Sequence, residues 1–323
     1  MILYHFNESI KTGVFPDDLK LADISPVFKK KIKELKENYR PVSVLSAFSK
    51  IFERLLLCQM STFMENKLSI FLCGFRKGIG VQNCLLFLIE KWRKALDKSM
   101  KCGILLTDLS KAFDCLLHDL LIAYGFDNSS LKLISSYLSG PSQRVKVNSS
   151  FSQWNPIKFG VPQGSVLGPE LFNYNENDPF LFLLLEIVNF ADDNSPFSVC
   201  NESSEVLSKL KMESRVMLDW FKFNGFSANP SKFHLIMSDS SEKLSITIDN
   251  FTIKNSSTEK LLDIKIHNKL TFNDHVESLC KKASQKLHAL SRVSQYMTIF
   301  QKKIIFHSFI SSFWILSFSL VAS

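Results

Sequence analysis

The chain has 323 residues, 46% hydrophobic and 22% charged, with a formal net charge of +8. That length and composition exclude a long disordered chain and leave room for one large domain or two modest ones. The positive balance, with a pI near 9.0, favours an anionic partner such as nucleic acid. The seven Cys lack the paired spacing of a zinc site or of a secreted disulfide framework.

A turn-prone Pro16-Asp17-Asp18 opens the first readable segment, followed by an extended stretch from Ala22 to Phe28. A basic cluster follows (Lys29, Lys30, Lys31, Lys33, Lys36) and ends at Asn38-Tyr39-Arg40-Pro41. Pro41 pushes Arg40 toward extended backbone. A fixed guanidinium beside lysines suits a phosphate chain, although a lysine run alone is equally a solvated face.

From Ser46 to Leu68 apolar residues (Phe52, Leu56, Met60, Met64 among them) recur at steps of three and four, which predicts an amphipathic helix. Cys73 to Gly80 is a glycine-broken basic loop that fits neither a P-loop nor a dinucleotide fingerprint. A second helix is expected from Val81 to Asp97. Cys102 to Thr107 reads as a buried strand that delivers Asp108 at its end, with a helix near Leu116 to Ala123 beyond. A carboxylate at the end of a buried strand is well placed for a ligand or metal, while Ser110 or Asp114 would better cap that helix.

Gln143 to Asn148 alternates like a half-buried strand. In Gly160-Val161-Pro162-Gln163-Gly164-Ser165-Val166-Leu167-Gly168-Pro169, Gly164 allows backbone to approach another molecule closely. Gln163 offers a donor and an acceptor there, and Gly168-Pro169 marks a helix start.

An apolar run, Phe180 to Val188, leads into Asn189-Phe190-Ala191-Asp192-Asp193-Asn194-Ser195-Pro196. This reads as a β-hairpin whose turn carries two carboxylates. Alone, such a pair is a solvated turn; placed together, like charges repel unless a cation sits there. Ser203 to Phe223 is an amphipathic helix, and Lys232 stands at the mouth of a strand from Phe233 to Met237. Ile246 to Ile253 and Leu261 to Ile266 read as one strand each, and Asn273 to Ser294 as a basic helix. Ile304 to Ser323 reads as a buried terminal helix, barely long enough to span a bilayer.

Antiparallel pairing of the Cys102–Thr107 strand beside the hairpin would gather Asp108, Asp192 and Asp193. Oxygen-only donors suit Mg²⁺, and two such ions roughly 4 Å apart serve phosphoryl transfer.

With these residues in order, the sequence resembles the reverse transcriptases of non-LTR, LINE-type (jockey/CR1-like) retrotransposons. The resemblance is collinear over about residues 7–315 and rests on several motifs. These are Asn38-Tyr39-Arg40-Pro41-Val42-Ser43, Gly74-Phe75-Arg76, and Thr107-Asp108-Leu109-Ser110-Lys111-Ala112-Phe113-Asp114. Residues 160–169, Phe190-Ala191-Asp192-Asp193, the Trp220…Asn224…Asn229…Lys232 stretch and Leu261 to His275 complete the set.

The resemblance implies an α+β right-hand polymerase fold: fingers, a palm with an antiparallel sheet, and a partial helical thumb. Fingers and palm would occupy 1–268, and a truncated thumb-like region 269–323. It implies Asp108, Asp192 and Asp193 as ligands of two Mg²⁺ ions, with Mn²⁺ as a substitute. Phe113 would be the steric gate beneath the sugar, and Gln163 and Gly164 would line the nascent base pair. Arg40 would contact the triphosphate and Lys232 would lie near the leaving pyrophosphate. Leu261 to Ile266 would support the primer end.

The implied activity is RNA-directed DNA synthesis from dNTPs on a primed RNA template, in the nucleus and without a membrane. The alternative is a catalytically inactive, nucleic-acid-binding fragment of a decayed element. Four places depart from the family pattern: a shortened segment after Ala123, Gly140-Pro141, Asn175 to Pro179, and Asp263 in place of a glycine.

Overall fold

The computed structural model describes residues 2–29, 32–107, 109–110, 118–157, 162–225, 227–228, 230–238 and 244–311. The chain divides into two compact units. The first comprises Met1–Phe75, Leu109–Phe182 and Asp219–Ser227; the second comprises Arg76–Asp108, Leu183–Leu218 and Ala228–Ser323.

In the first unit the strand Leu21–Phe28 pairs antiparallel with Tyr39–Leu45, placing Ile24 opposite Ser43 and Val27 opposite Arg40. On its other side it pairs parallel with Ser142–Val147, so that Asp23 faces Arg144 and accepts from its Nε at 2.7 Å. The helix Ala47–Met64 starts where Ser46 caps the Ser49 amide at 3.1 Å. Its buried stripe of Phe52, Leu56, Met60 and Met64 packs with Phe15, with Ile134 and Tyr137 of Asn128–Leu138, and with Leu171 and Tyr174 of Gly168–Glu176. Burying that apolar surface is the main stabilising term of this unit.

Asn175 to Pro179, one of the departures, is accommodated by polar partners. Asn177 is fully buried, accepts from the Ser69 amide at 2.6 Å, and donates to the Lys67 carbonyl and the Tyr124 hydroxyl at 3.1 and 2.8 Å. Asp178 accepts from the Trp220 indole at 2.8 Å. Pro179 opens the short helix Pro179–Phe182, a position that needs no amide donor.

The second unit is built on a six-stranded sheet. Its order is Ser245–Ile248, Phe251–Ser256, His234–Met237, Lys101–Leu106, Asp193–Cys200, Glu186–Phe190. The central strand Lys101–Leu106 is antiparallel to both neighbours. One face packs Leu105, Leu235 and Met237 with Val206 and Leu210 of the helix Ser203–Phe223. Gly103 suits this packing: an added Cβ would overlap Met237 Sδ and stand 2.9 Å from Val206 Cγ1, so both side chains would have to shift. The helix Val81–Asp97 buries Cys84, Leu88 and Trp92.

Four expectations are corrected. Ile246 to Ile253 is a hairpin, with Ile248 opposite Phe251 and Asp249-Asn250 as a two-residue turn, left-handed at Asp249 (φ 51°). Leu261 to Ile266 likewise straddles a hairpin, Thr258–Leu261 with Ile264–His267, turning at Leu262-Asp263 (φ 47° and 71°). The apolar run from Phe180 is split: a helical turn ends at Phe182 and the strand starts at Glu186. Finally, the stretch from Ile304 is not a buried helix over its described part. Helix Ile299–Phe306 buries no residue, and Ile304 and Phe309 are 49% and 58% exposed. Among the described residues no helix is long and apolar enough to cross a membrane.

Candidate active site

The hairpin Glu186–Phe190/Asp193–Cys200 closes with Phe190 opposite Asp193, so its loop is only Ala191-Asp192. Ala191 is left-handed at φ 55°, as a mirror-image hairpin turn requires. A left-handed alanine costs roughly 1–2 kcal/mol. Asn189, fully buried, steadies the turn by donating to the Ala191 carbonyl at 3.0 Å and to Asn194 Oδ1 at 2.9 Å. Asp192 is thus presented to solvent at the tip, while Asp193, half-buried, begins the returning strand. Both side chains were expected in the turn; only Asp192 is there.

The central strand reaches the same end of the sheet. Ile104 pairs with Phe197, and beyond the ladder Thr107 donates to the Asn194 carbonyl, from its amide at 3.1 Å and its hydroxyl at 2.5 Å. His234 pairs with Leu106, so the short 3-10 turn Pro230–Lys232 also enters the sheet at this end. Thr107, Asp192, Asp193 and Lys232 therefore lie toward one end of the sheet's strands. Asp108 and Phe113 lie outside the described residues. Among the described residues no group of three His, Cys, Asp or Glu side chains forms a metal cluster.

Arg40, Gln163 and Gly164 belong to the first unit. Arg40 is exposed on the strand Tyr39–Leu45. Three residues further on, the Ser43 amide donates to the Gln163 carbonyl at 2.8 Å. Gly164, at φ 122°, lies so close that an added Cβ would stand 2.6 Å from the Ser43 carbonyl oxygen. The close approach this glycine permits includes one to the chain's own strand.

The other end of that loop is held by Glu53, which composition and spacing did not single out. Its Oε2 accepts from the Val166 and Leu167 amides at 2.6 and 3.1 Å, and its Oε1 from the Ser49 hydroxyl at 3.1 Å. Burial pushes its pKa up, against the pull of those donors. The signal available was an acid in register with Ser49, Leu56 and Met60, at steps of four, three and four on one helical face.

The carboxylate hairpin thus sits at the strand ends of a mixed helix-and-strand scaffold. Solved telomerase structures from Candida tropicalis share the fold. The apo form truncated from its C-terminal domain aligns with a TM-score of 0.56 at 14% identity, covering 80% of this chain and 55% of that one. The fold is accordingly the α+β right-hand polymerase fold.

The family model for Reverse transcriptase (RNA-dependent DNA polymerase) matches residues 28–248, and the chain belongs to that family. It is 28% identical over 334 residues to the probable RNA-directed DNA polymerase from transposon BS of Drosophila melanogaster, covering 96% of this chain and 36% of that protein. It is also 28% identical over 290 residues to the RNA-directed DNA polymerase from mobile element jockey of Drosophila funebris, covering 85% and 32%. These relatives are polymerases from a transposon and a mobile element, in line with the non-LTR reverse transcriptase that the motifs resemble. The chain spans about a third of the length of these curated relatives. Reverse transcriptases as a family are divalent-metal dependent.

Proposed function

We propose that this chain is the polymerase region of a non-LTR retrotransposon protein and extends a primer with dNTPs on an RNA template. The observation that carries the reading is the pair of hydrogen bonds from Thr107 to the Asn194 carbonyl, which ties the strand leading to Asp108 to the hairpin bearing Asp192 and Asp193. Family membership over residues 28–248 supports it.

The donor chemistry fits a hard cation: carboxylate oxygens, one exposed at a turn tip, with no soft ligand among the three assigned residues. Asp108 and Asp192 would hold two Mg²⁺ ions, with Asp193 as a supporting ligand. When bound, such ions stabilise the charge on the attacking and leaving oxygens of phosphoryl transfer. Arg40, exposed and always charged, binds the triphosphate. Gln163 and Gly164 line the nascent pair, and Phe113 excludes a 2′-hydroxyl. Lys232 supplies a proton or a positive charge to the leaving pyrophosphate. Residues 269–323 are assigned to a thumb-like region, and a nuclear location follows from the reading alone.

Primer extension on poly(rA)/oligo(dT) with purified protein tests the proposal. Wild type extends with Mg²⁺ or Mn²⁺, and Asp192→Ala lowers the rate by about a hundred- to a thousandfold, the scale of one lost group that stabilises transition-state charge. A folded wild type that extends in neither metal overturns the function. Extension that survives Asp192→Ala overturns the metal assignment. Salt-sensitive RNA binding without extension identifies an inactive binding fragment.

A further inference from the structure

The segment from Gln163 to Leu167 is pinned at both ends to other elements of the first unit, and the Leu167 side chain packs in the same core cluster as Phe52 and Leu56. At one end the Ser43 amide holds the Gln163 carbonyl at 2.8 Å. At the other, a carboxylate that is 1% exposed holds the Val166 and Leu167 amides. Those amides lead into the helix Gly168–Glu176, whose N-cap position, Leu167, makes no side-chain capping bond. Glu53 therefore satisfies, from a different helix, the two amides that lead into this helix. Its negative charge also complements the positive end of the helix. A buried carboxylate is a costly way to cap a helix. A local Ser165 is already present, and its hydroxyl accepts from the Gly168 amide at 3.0 Å. What the distant acid adds is a fixed position for the loop relative to the helix Ala47–Met64, which follows directly on the Arg40 strand.

We propose that Glu53 is a positioning residue for nucleotide selection, holding Gln163 and Gly164 in fixed register with the strand that carries Arg40. This rests on the polymerase reading above. The hydrogen-bond pattern says which substitution should preserve the function. Both loop amides converge on Oε2, while Oε1 accepts from the Ser49 hydroxyl, which can also donate to the Leu19 carbonyl at 2.8 Å, and the buried Tyr137 hydroxyl lies beside the same carboxylate. A glutamine keeps one oxygen for the two amides and points its NH₂ at the Ser49 oxygen, which then donates to Leu19. The clamp survives without its charge. An alanine leaves both amides without the acceptor.

Single-nucleotide extension kinetics on wild type, Glu53→Gln and Glu53→Ala test this, together with hydrogen exchange at residues 163–168. Glu53→Ala should raise the dNTP KM about tenfold, the effect of one lost charge-assisted hydrogen bond, with kcat within about twofold. It should also speed exchange of the Val166 and Leu167 amides. Glu53→Gln should restore both values. Should the alanine variant not fold, Glu53→Asp, whose shorter arm withdraws the oxygen, serves in its place. A folded Ala or Asp variant with faster exchange but wild-type KM overturns the proposal, as does a glutamine variant no better than alanine. If wild type extends no primer, the polymerase reading fails by itself, and unchanged exchange in Glu53→Ala would separately overturn the clamp.

Discussion

Thr107 reaches the Asn194 carbonyl oxygen twice, through its amide at 3.1 Å and its hydroxyl at 2.5 Å. The residue is 5% exposed, so the pair joins the end of the central strand to the carboxylate hairpin out of reach of water. Thr107→Val keeps shape and backbone bond and removes only the hydroxyl. The expected cost is about 1–2 kcal/mol in urea unfolding, the range for one buried hydrogen bond. Because the residue after Thr107 is a proposed metal ligand, kcat should fall while the dNTP KM holds. A Val variant with wild-type kcat would separate the strand end from catalysis.

Gly164 leaves even less latitude. Its φ of 122° is closed to L side chains, and a Cβ would stand 2.6 Å from a backbone carbonyl oxygen that cannot swing aside. Gly164→Ala should therefore cost more than about 2 kcal/mol, since strain and the broken Ser43–Gln163 bond add. Thermal melting measures the loss, and hydrogen exchange at Ser43 locates it. A variant with an unchanged melting temperature would mean that the loop is not held against the strand.

At the hairpin Thr258–Leu261/Ile264–His267 a substitution should act in the opposite sense. Both turn residues, Leu262 and Asp263, are left-handed (φ 47° and 71°), the geometry of a turn that favours glycine at its second position. Asp263 pairs with Lys260 at 2.5 Å, but their side chains are 90% and 62% exposed, so the pair contributes little. Asp263→Gly should stabilise the protein by about 0.5–1 kcal/mol by relieving left-handed strain. Chemical denaturation checks it. If the hairpin supports a primer end, processivity should rise as well.

Much of this architecture was legible because its signals are local. The helices Val81–Asp97, Ser203–Phe223 and Asn273–Ser294 begin and end where periodicity and breakers place them, and the Asp192 hairpin follows from apolar flanks around a polar pair. The hairpin at Asp249-Asn250 was also within reach, since both are turn residues. Leu262-Asp263 was not: a leucine in left-handed backbone carries no sequence signal.

Glu53 shows a different limit. The helix Ala47–Met64 is apolar almost all round, and the structure leaves Phe48, Ile51, Leu55 and Phe63 between 43% and 52% exposed. The register of Glu53 with Leu56 and Met60 was a signal, but the apolar residues on the opposite face weaken it. Nor could spacing reveal that the partner of Gly164 is the chain's own Ser43, because the pairing joins segments far apart in sequence.

The hairpin at Asp263 also carries a pH prediction through His275. This histidine is 4% exposed and its Nδ1 accepts from the Lys265 amide at 3.3 Å, while Nε2 has no hydrogen-bond partner among the described residues. Burial lowers its pKa below the usual 6.5, and the charges of Lys282 and Lys265 lower it further. The folded state therefore favours the neutral ring. The contribution is fully present above the unfolded pKa, near 6.5, and is lost as pH falls below it toward the folded value. Protonating Nδ1 would also turn it from acceptor to donor against the Lys265 amide. Urea midpoints measured from pH 7.5 down to 5 should fall in wild type, and His275→Gln should flatten the acidic part of that slope. An equal slope in both proteins would assign the acid sensitivity to other groups and leave His275 a packing residue.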